Sequence, residues 1–147
     1  MFLEAFKSGA LDEVLGKYKY IREIQPREEL KYVNFELIDD DHHQAFVYVV
    51  NIFNKQGTAV VFPSMINFFE IEMFAEMQKM RHQGAETIVF LMVPMEDCAH
   101  IRFVWNQAPV AAAKIYDEVQ NGLKFYGYRC EVSRQEVRLA DKLEIMY

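Results

Sequence analysis

Ala45-Phe-Val-Tyr-Val-Val-Asn-Ile-Phe53, then Asn54-Lys-Gln-Gly57 and Thr58-Ala-Val-Val-Phe-Pro63, is the stretch whose reading decides the fold. Two runs rich in β-branched and aromatic residues flank a short segment ending in glycine, which predicts a buried hairpin. Neither strand of it carries a carboxylate. Upstream, Asp39-Asp-Asp-His-His43 reads as a polar turn leading into the hairpin. Tyr18 to Ile24, closed by Pro26, and Glu29 to Ile38 read as two earlier strands. Phe2, Leu3 and Phe6, then Leu11, Val14 and Leu15, predict two short helical turns separated by Ser8-Gly9.

Downstream lies the clearest helix. Asn67 is placed to cap it, with Glu70 three residues on as in a capping box. Phe69, Met73, Met77 and Met80 recur at helical spacing, and the pattern stops near Gly84. Glu86 to Val93 and Ile101 to Trp105 read as strands. Pro109 opens a second helix that runs to Asn121 with Gly122 as its C-terminal cap. Leu123 to Val132 and Glu136 to Ile145 close the chain as strands. Strands alternating with well-formed helices specify an α/β class with a mixed central β-sheet flanked by helices.

The 147 residues, 52% of them hydrophobic, suit one domain spanning 1–147 that buries its own core. No apolar run approaches the roughly 20 residues needed to span a bilayer, and Glu4 and Lys7 interrupt any signal peptide. The expectation is a soluble cytoplasmic protein without membrane contact. Cys98 and Cys130 have no CxxC partner, so both read as buried thiols rather than as a zinc site or a disulfide. The net charge of −6 works against non-specific binding to phosphate backbones. Two basic clusters stand out nonetheless. Lys17, Lys19, Arg22, Arg27 and Lys31 form one, and Lys124, Arg129, Arg134, Arg138 and Lys142 the other. They make either one patch in space or solvated faces balanced by neighbouring glutamates.

Several stretches carry a family resemblance. Phe2-Leu-Glu-Ala-Phe-Lys-Ser-Gly-Ala-Leu11, Tyr20-Ile-Arg-Glu-Ile24 and Gly84-Ala-Glu-Thr-Ile-Val-Phe-Leu-Met-Val93 are three of them. The last of these and Ala113-Lys-Ile-Tyr-Asp-Glu-Val-Gln-Asn-Gly-Leu-Lys-Phe-Tyr-Gly-Tyr-Arg-Cys-Glu-Val-Ser133 are the strongest. Together they resemble the nuclease domain of the sugar fermentation stimulation protein A family, a branch of the PD-(D/E)XK superfamily. The resemblance implies a restriction-endonuclease-like core and metal-dependent nuclease ancestry. Members usually carry an oligonucleotide-binding-like β-barrel before this domain, and that barrel is expected to be absent here.

The departures from the family pattern bear on function. Hydrolysis of a phosphodiester by Mg²⁺ or Mn²⁺ needs carboxylates to hold the metal and a lysine to activate water. The resemblance places the family's first aspartate at Asn34, its E-x-K pair at Tyr48 and Val50, and the aspartate after Phe-Pro at Ser64. Its helical Arg-Gly and His positions fall at Phe69, Glu70 and Met73, and its Asp-Pro becomes Ala108-Pro109. Such a site is repacked with neutral groups, which implies a pseudo-nuclease needing no cofactor.

Rescue routes exist. Glu70, Glu72 and Glu76 on the adjacent helix are candidates for migrated carboxylates, although the Met face of that helix implies that they point to water. Asp39, His42 and His43, with Glu36, are weak metal candidates in what otherwise reads as a solvated turn. Trp105 offers a stacking platform or a subunit contact, and Ser64 has no recognisable base. Two functional classes follow: a nucleic-acid-binding or regulatory module, using the basic clusters with Tyr18, Tyr20, Tyr126 and Tyr128, or a protein-interaction subunit, including a homodimer. A small-ligand pocket at the former cleft is a minor third.

Overall fold

The computed structural model describes residues 2–28, 30–52, 55–56, 59–62, 68–94, 98–103, 109–132 and 137–146. At 55–56, 59–62, 68–71, 103, 109–112, 131–132, 137–138 and 146 the backbone alone is described. Two short helices, α1 (Phe2–Ser8) and α2 (Asp12–Leu15), precede strand β1 (Tyr18–Glu23). Then come β2 (Phe35–Asp39), β3 (Gln44–Asn51), β4 (Lys55–Gln56), β5 (Ala59–Phe62) and helix α3 (Phe68–His82). Strands β6 (Glu86–Val93) and β7 (His100–Phe103), helix α4 (Pro109–Gln120) and strands β8 (Lys124–Val132) and β9 (Val137–Met146) complete the order.

The strands join in one mixed sheet of order β1-β2-β3-β6-β8-β9-β7-β5-β4 among the described residues. Its centre is parallel, with β3 beside β6 and β6 beside β8. Parallel strands need both faces covered, and this sheet supplies the two cores that requires. Side-chain alternation divides them. Ala45 and Val47 of β3 and Ile88, Phe90 and Met92 of β6 pack with Phe2, Ala5, Leu11 and Leu15 of the N-terminal segment. Phe46 and Tyr48 of β3 and Val89, Leu91 and Val93 of β6 pack with Met73, Phe74, Met77 and Met80 of α3 and Ile115 of α4. Cys98 and Cys130 are buried and not joined in a disulfide, as expected.

The expected hairpin is not formed. β3 pairs with β2 and β6, whereas β5 pairs with β4 and β7, so the two halves of the opening stretch lie in different parts of the sheet. A strand that buries both faces lacks the alternation that would mark its neighbour, and parallel pairing with β6 captured it instead. The predicted strand from Glu29 is also too long. β2 begins at Phe35, because the backbone at 31–33 is held by a helix carboxylate described below. β9 changes neighbours along its length, pairing with β8 up to Leu143 and with β7 from Glu144.

Both long helices end as their sequences predict. Gly84 (φ 93°) and Gly122 (φ 107°) adopt the left-handed conformation that a side chain disfavours. The amide after each glycine reaches five residues back, Ala85 N to Met80 O at 3.1 Å and Leu123 N to Glu118 O at 3.0 Å. Across the helical layer, Arg81 of α3 pairs with the fully buried Glu118 of α4 and donates to Thr87 Oγ1 of β6 at 2.8 Å. Gln78 donates to the other Glu118 oxygen at 2.6 Å, and Lys114 approaches it at 3.4 Å. Removing one partner of such a pair strands the other charge in the core. We expect Glu118→Leu to cost about 3–5 kcal/mol in denaturant unfolding and Arg81→Met with Glu118→Leu to recover most of it.

Candidate functional site

Asn34, Tyr48 and Val50 come together at the junction of β2 and β3. Asn34 stands just before β2, with its amide on Val47 O at 2.9 Å and its carbonyl accepting from Ile24 N at 2.9 Å. Its side-chain Oδ1 accepts from Val49 N at 2.8 Å, so the carboxamide extends the backbone ladder. Tyr48 is wholly inaccessible, and Val50 is half-buried against the α3-side core. Burial, and then the charge of Glu76, raise the Tyr48 hydroxyl above the usual phenol range. Among the described residues that hydroxyl lies against Glu76 and Arg81 without closing a well-formed hydrogen bond.

The helix glutamates have separate roles. Glu72 is exposed and accepts from the Tyr32 hydroxyl. Glu76 is buried, which overturns the expectation that it points to water. Its Oε1 accepts from the amides of Lys31 (2.5 Å) and Tyr32 (3.3 Å), and its Oε2 from that of Val33 (3.1 Å). A carboxylate that accepts from three successive amides is a strong local clamp. The Glu70 side chain, Ser64, Asn67, Trp105 and Arg134 lie outside the described residues, as do the side chains of Phe69 and Arg138.

The basic clusters do approach one another, but carboxylates answer them. Lys17 and Lys124 both reach Glu86, at 3.3 and 3.6 Å. Arg22 pairs with Glu36 at 3.1 Å, Arg129 with Asp141 at 2.9 Å, and Lys19 caps Gly16 O at 2.9 Å. Burial opposes the charged form of Glu86, yet hydrogen bonds from Tyr18 and Lys17 and the charge of Lys124 hold it below the usual carboxylate range. Of the proposed stacking tyrosines, Tyr20 is exposed. Tyr18 and Tyr128 are buried, Tyr128 donating to Glu13 at 2.6 Å, and Tyr126 is half-buried. Burial removes Tyr18 and Tyr128 as base platforms.

The metal candidates separate likewise. Glu36 is buried and engaged by Arg22 and by Gln44 at 3.0 Å, on β2 rather than in the turn. Asp39, Asp41 and His43 bring ligand atoms within 4.8 Å, while His42 takes a left-handed turn conformation (φ 65°). Asp39 already serves the turn. Its Oδ1 accepts from the Asp41 and His43 amides at 2.9 Å each, and its Oδ2 meets His43 Nδ1 at 3.0 Å. Exposed Asp-rich turns behave this way without an ion.

With the geometry in place, comparison with known proteins gives consistent results. The family model described as the sugar fermentation stimulation protein RE domain matches residues 1–136. A sugar fermentation stimulation protein homolog of Bartonella quintana is 28% identical over 89% of this chain and 56% of its own length. A homolog from Citrifermentans bemidjiense is 25% identical over 97% of this chain and 61% of its own. Pyrococcus furiosus SfsA, solved in complex with Ca²⁺, superposes with a TM-score of 0.77 at 14% identity, covering 98% of this chain and 63% of that one. The chain thus spans about three-fifths of the length of these relatives. No described helix is long and apolar enough to cross a membrane.

Two predictions test this geometry. Tyr48→Phe removes a buried hydroxyl that closes no well-formed hydrogen bond among the described residues, and should change stability by no more than about 1 kcal/mol. Tyr48→Glu sets a second carboxylate beside Glu76 and should cost about 3 kcal/mol or more in urea unfolding. The Glu86 carboxylate, with its value lowered by folding, contributes stability that is complete above its unfolded value near 4.5 and is lost as pH falls through its folded value. Acid titration of unfolding should therefore lose one component in Glu86→Gln, visible below about pH 4.5.

Proposed function

The chain belongs to the sugar fermentation stimulation protein family, and on that premise we propose that it is a pseudo-nuclease. It keeps the family's nuclease-like fold without hydrolysis and serves as a nucleic-acid-binding or regulatory module. The observation that carries this reading is Tyr48: a neutral, inaccessible ring stands where the resemblance puts a metal-binding glutamate. Val50, at the lysine position, packs into the same core, and the amide oxygen of Asn34 is engaged by Val49.

A hard divalent cation such as the Ca²⁺ of the Pyrococcus furiosus protein takes about 6–8 oxygen ligands, and catalytic Mg²⁺ needs at least a carboxylate or two. The residues at this junction do not fit such an ion. Glu76 adds no free ligand, because three backbone amides already occupy its oxygens. Migration of catalysis onto α3 therefore finds no support at Glu76. Glu72, exposed and bonded to Tyr32, lines a recess with Glu28 and Glu76, but among the described residues these three do not bring their oxygens close enough together to share an ion.

A second reading, a protein-interaction subunit or homodimer, is favoured by the pairing of Lys17, Lys124, Arg22 and Arg129 with carboxylates, which leaves less charge for a phosphate backbone. One gel separates these readings. Purified protein is incubated with end-labelled single- and double-stranded DNA and RNA, with Mn²⁺ or with EDTA. Retarded mobility without cleavage is the expected outcome. Mn²⁺-dependent cleavage that co-purifies with the protein overturns the pseudo-nuclease reading, and neither signal transfers the assignment to protein association.

A further inference from the structure

A polar recess lies on the α3 side of the sheet, beside Phe46, two positions before Tyr48 on the same face of β3. A cavity of about 400 Å³ opens between β1, β2, the 24–34 segment and the C-terminal half of α3. Three cations line it, Arg22, Arg27 and Lys79, against one carboxylate, Glu36. The lining thus carries a surplus of two positive charges on a chain whose net charge is −6. Arg22 is matched to Glu36, whereas Arg27 and Lys79 have no ion-pair partner among the described residues.

The cavity's exposed lining is more polar than apolar; its apolar part comes from the edges of Leu30, Phe46, Met80 and Ala85, all largely buried, with the side-chain amides of Gln44 and Gln83 beside them. Glu36 sits buried there, with Arg22 on one oxygen and Gln44 on the other. Free lone pairs on it can take a hydroxyl or amino donor from a ligand.

The recess is also preformed. Arg27 and Leu30 exchange backbone hydrogen bonds of 3.1 Å each, and Glu76 fixes the amides that follow at 31–33. Ile24 N is bonded to Asn34 O at 2.9 Å, so the segment carrying two lining residues is tied at both ends. A backbone tied in this way lowers the part of the ordering cost that comes from the segment carrying Arg27. A volume near the lower end of the about 300–1,000 Å³ typical of small-molecule sites suits one nucleotide unit, not a duplex.

We propose that this cavity binds a phosphomonoester of mononucleotide size, its phosphate between Arg27 and Lys79 and its flat apolar body against Phe46, Leu30 and Met80. The site uses none of Asn34, Tyr48 or Val50. Phe46 lies on the same face of β3 as Val50 and about 13 Å before it along the strand. The proposal therefore stands apart from whether the domain hydrolyses anything.

The test is calorimetric titration of the whole chain, in EDTA, with AMP, adenosine and inorganic phosphate. AMP should bind more tightly than either fragment, with affinity falling as salt rises. Arg27→Gln and Lys79→Ala should each weaken AMP about tenfold or more, because each removes a charge-assisted contact. The distant Lys142→Ala should leave AMP affinity unchanged. Competition by a 5′-phosphorylated dinucleotide, but not by its dephosphorylated form, would assign the phosphate to a strand end. Its failure to compete would assign it to a free ligand, and either result supports the site. Absence of AMP binding at millimolar concentration, or binding indifferent to both Arg27→Gln and Lys79→Ala in folded protein, overturns the proposal.

Discussion

The carboxylate of Glu76, held by the amides of Lys31, Tyr32 and Val33, is the contact on which the rest of the site depends. Hydrogen bonds to an ionised group contribute about 1.5–3 kcal/mol each where both partners are shielded, so three on one carboxylate are a large share of a domain's stability. They fold the 24–34 segment onto α3 and bring Ile24, Leu30 and Val33 into the core. They also decide where β2 begins. With 31–33 bound to a helix, the strand ladder starts at Phe35, and the Asn34 carboxamide completes it against Val49.

Charge elsewhere is arranged to hold the layers together more than to face outward. Arg81 and Glu118 join α3 to α4 and, through Thr87, to β6. Glu86, at the start of that same strand, gathers Lys17, Lys124 and the Tyr18 hydroxyl, tying β1 and β8 to it. Internal pairing thus accounts for Lys17, Arg22, Lys124 and Arg129 of the two basic clusters. Arg27 and Lys79, which have no ion-pair partner among the described residues, both line one cavity.

The elements were largely readable from the chain, and their partners were not. α3, α4, β6, β8 and β9 fall close to their expected spans, because a helix closed by a left-handed glycine and a run of β-branched residues are local signals. The pairing of β5 with β7 rather than β3 is not local. Nothing within 45–63 distinguishes a hairpin from two strands parted by half a sheet. Glu76 was misplaced for a similar reason. Methionine spacing defines the apolar face of α3, yet the groups that bury Glu76 are amides more than forty positions away in sequence, and backbone amides leave no mark in side-chain patterns. Likewise Arg27 and Lys79 lie in unrelated stretches, joined only when the 24–34 segment folds over the helix.

The burial of Glu76 and the neutrality of Tyr48 are two sides of one constraint. Suppose, as the family resemblance implies, that position 48 once carried a metal-binding glutamate. With a divalent ion present, two carboxylates facing each other across the cleft are compatible, because the cation compensates both. Without the ion, like charges in a buried space force one of them to take up a proton or the helix to move away. A tyrosine removes that conflict and fills the volume a metal and its water would occupy. Glu76 then keeps its oxygens on the 31–33 amides. A carboxylate at 48 alone therefore works against the clamp before any metal site could form, so its first effect is a loss of stability.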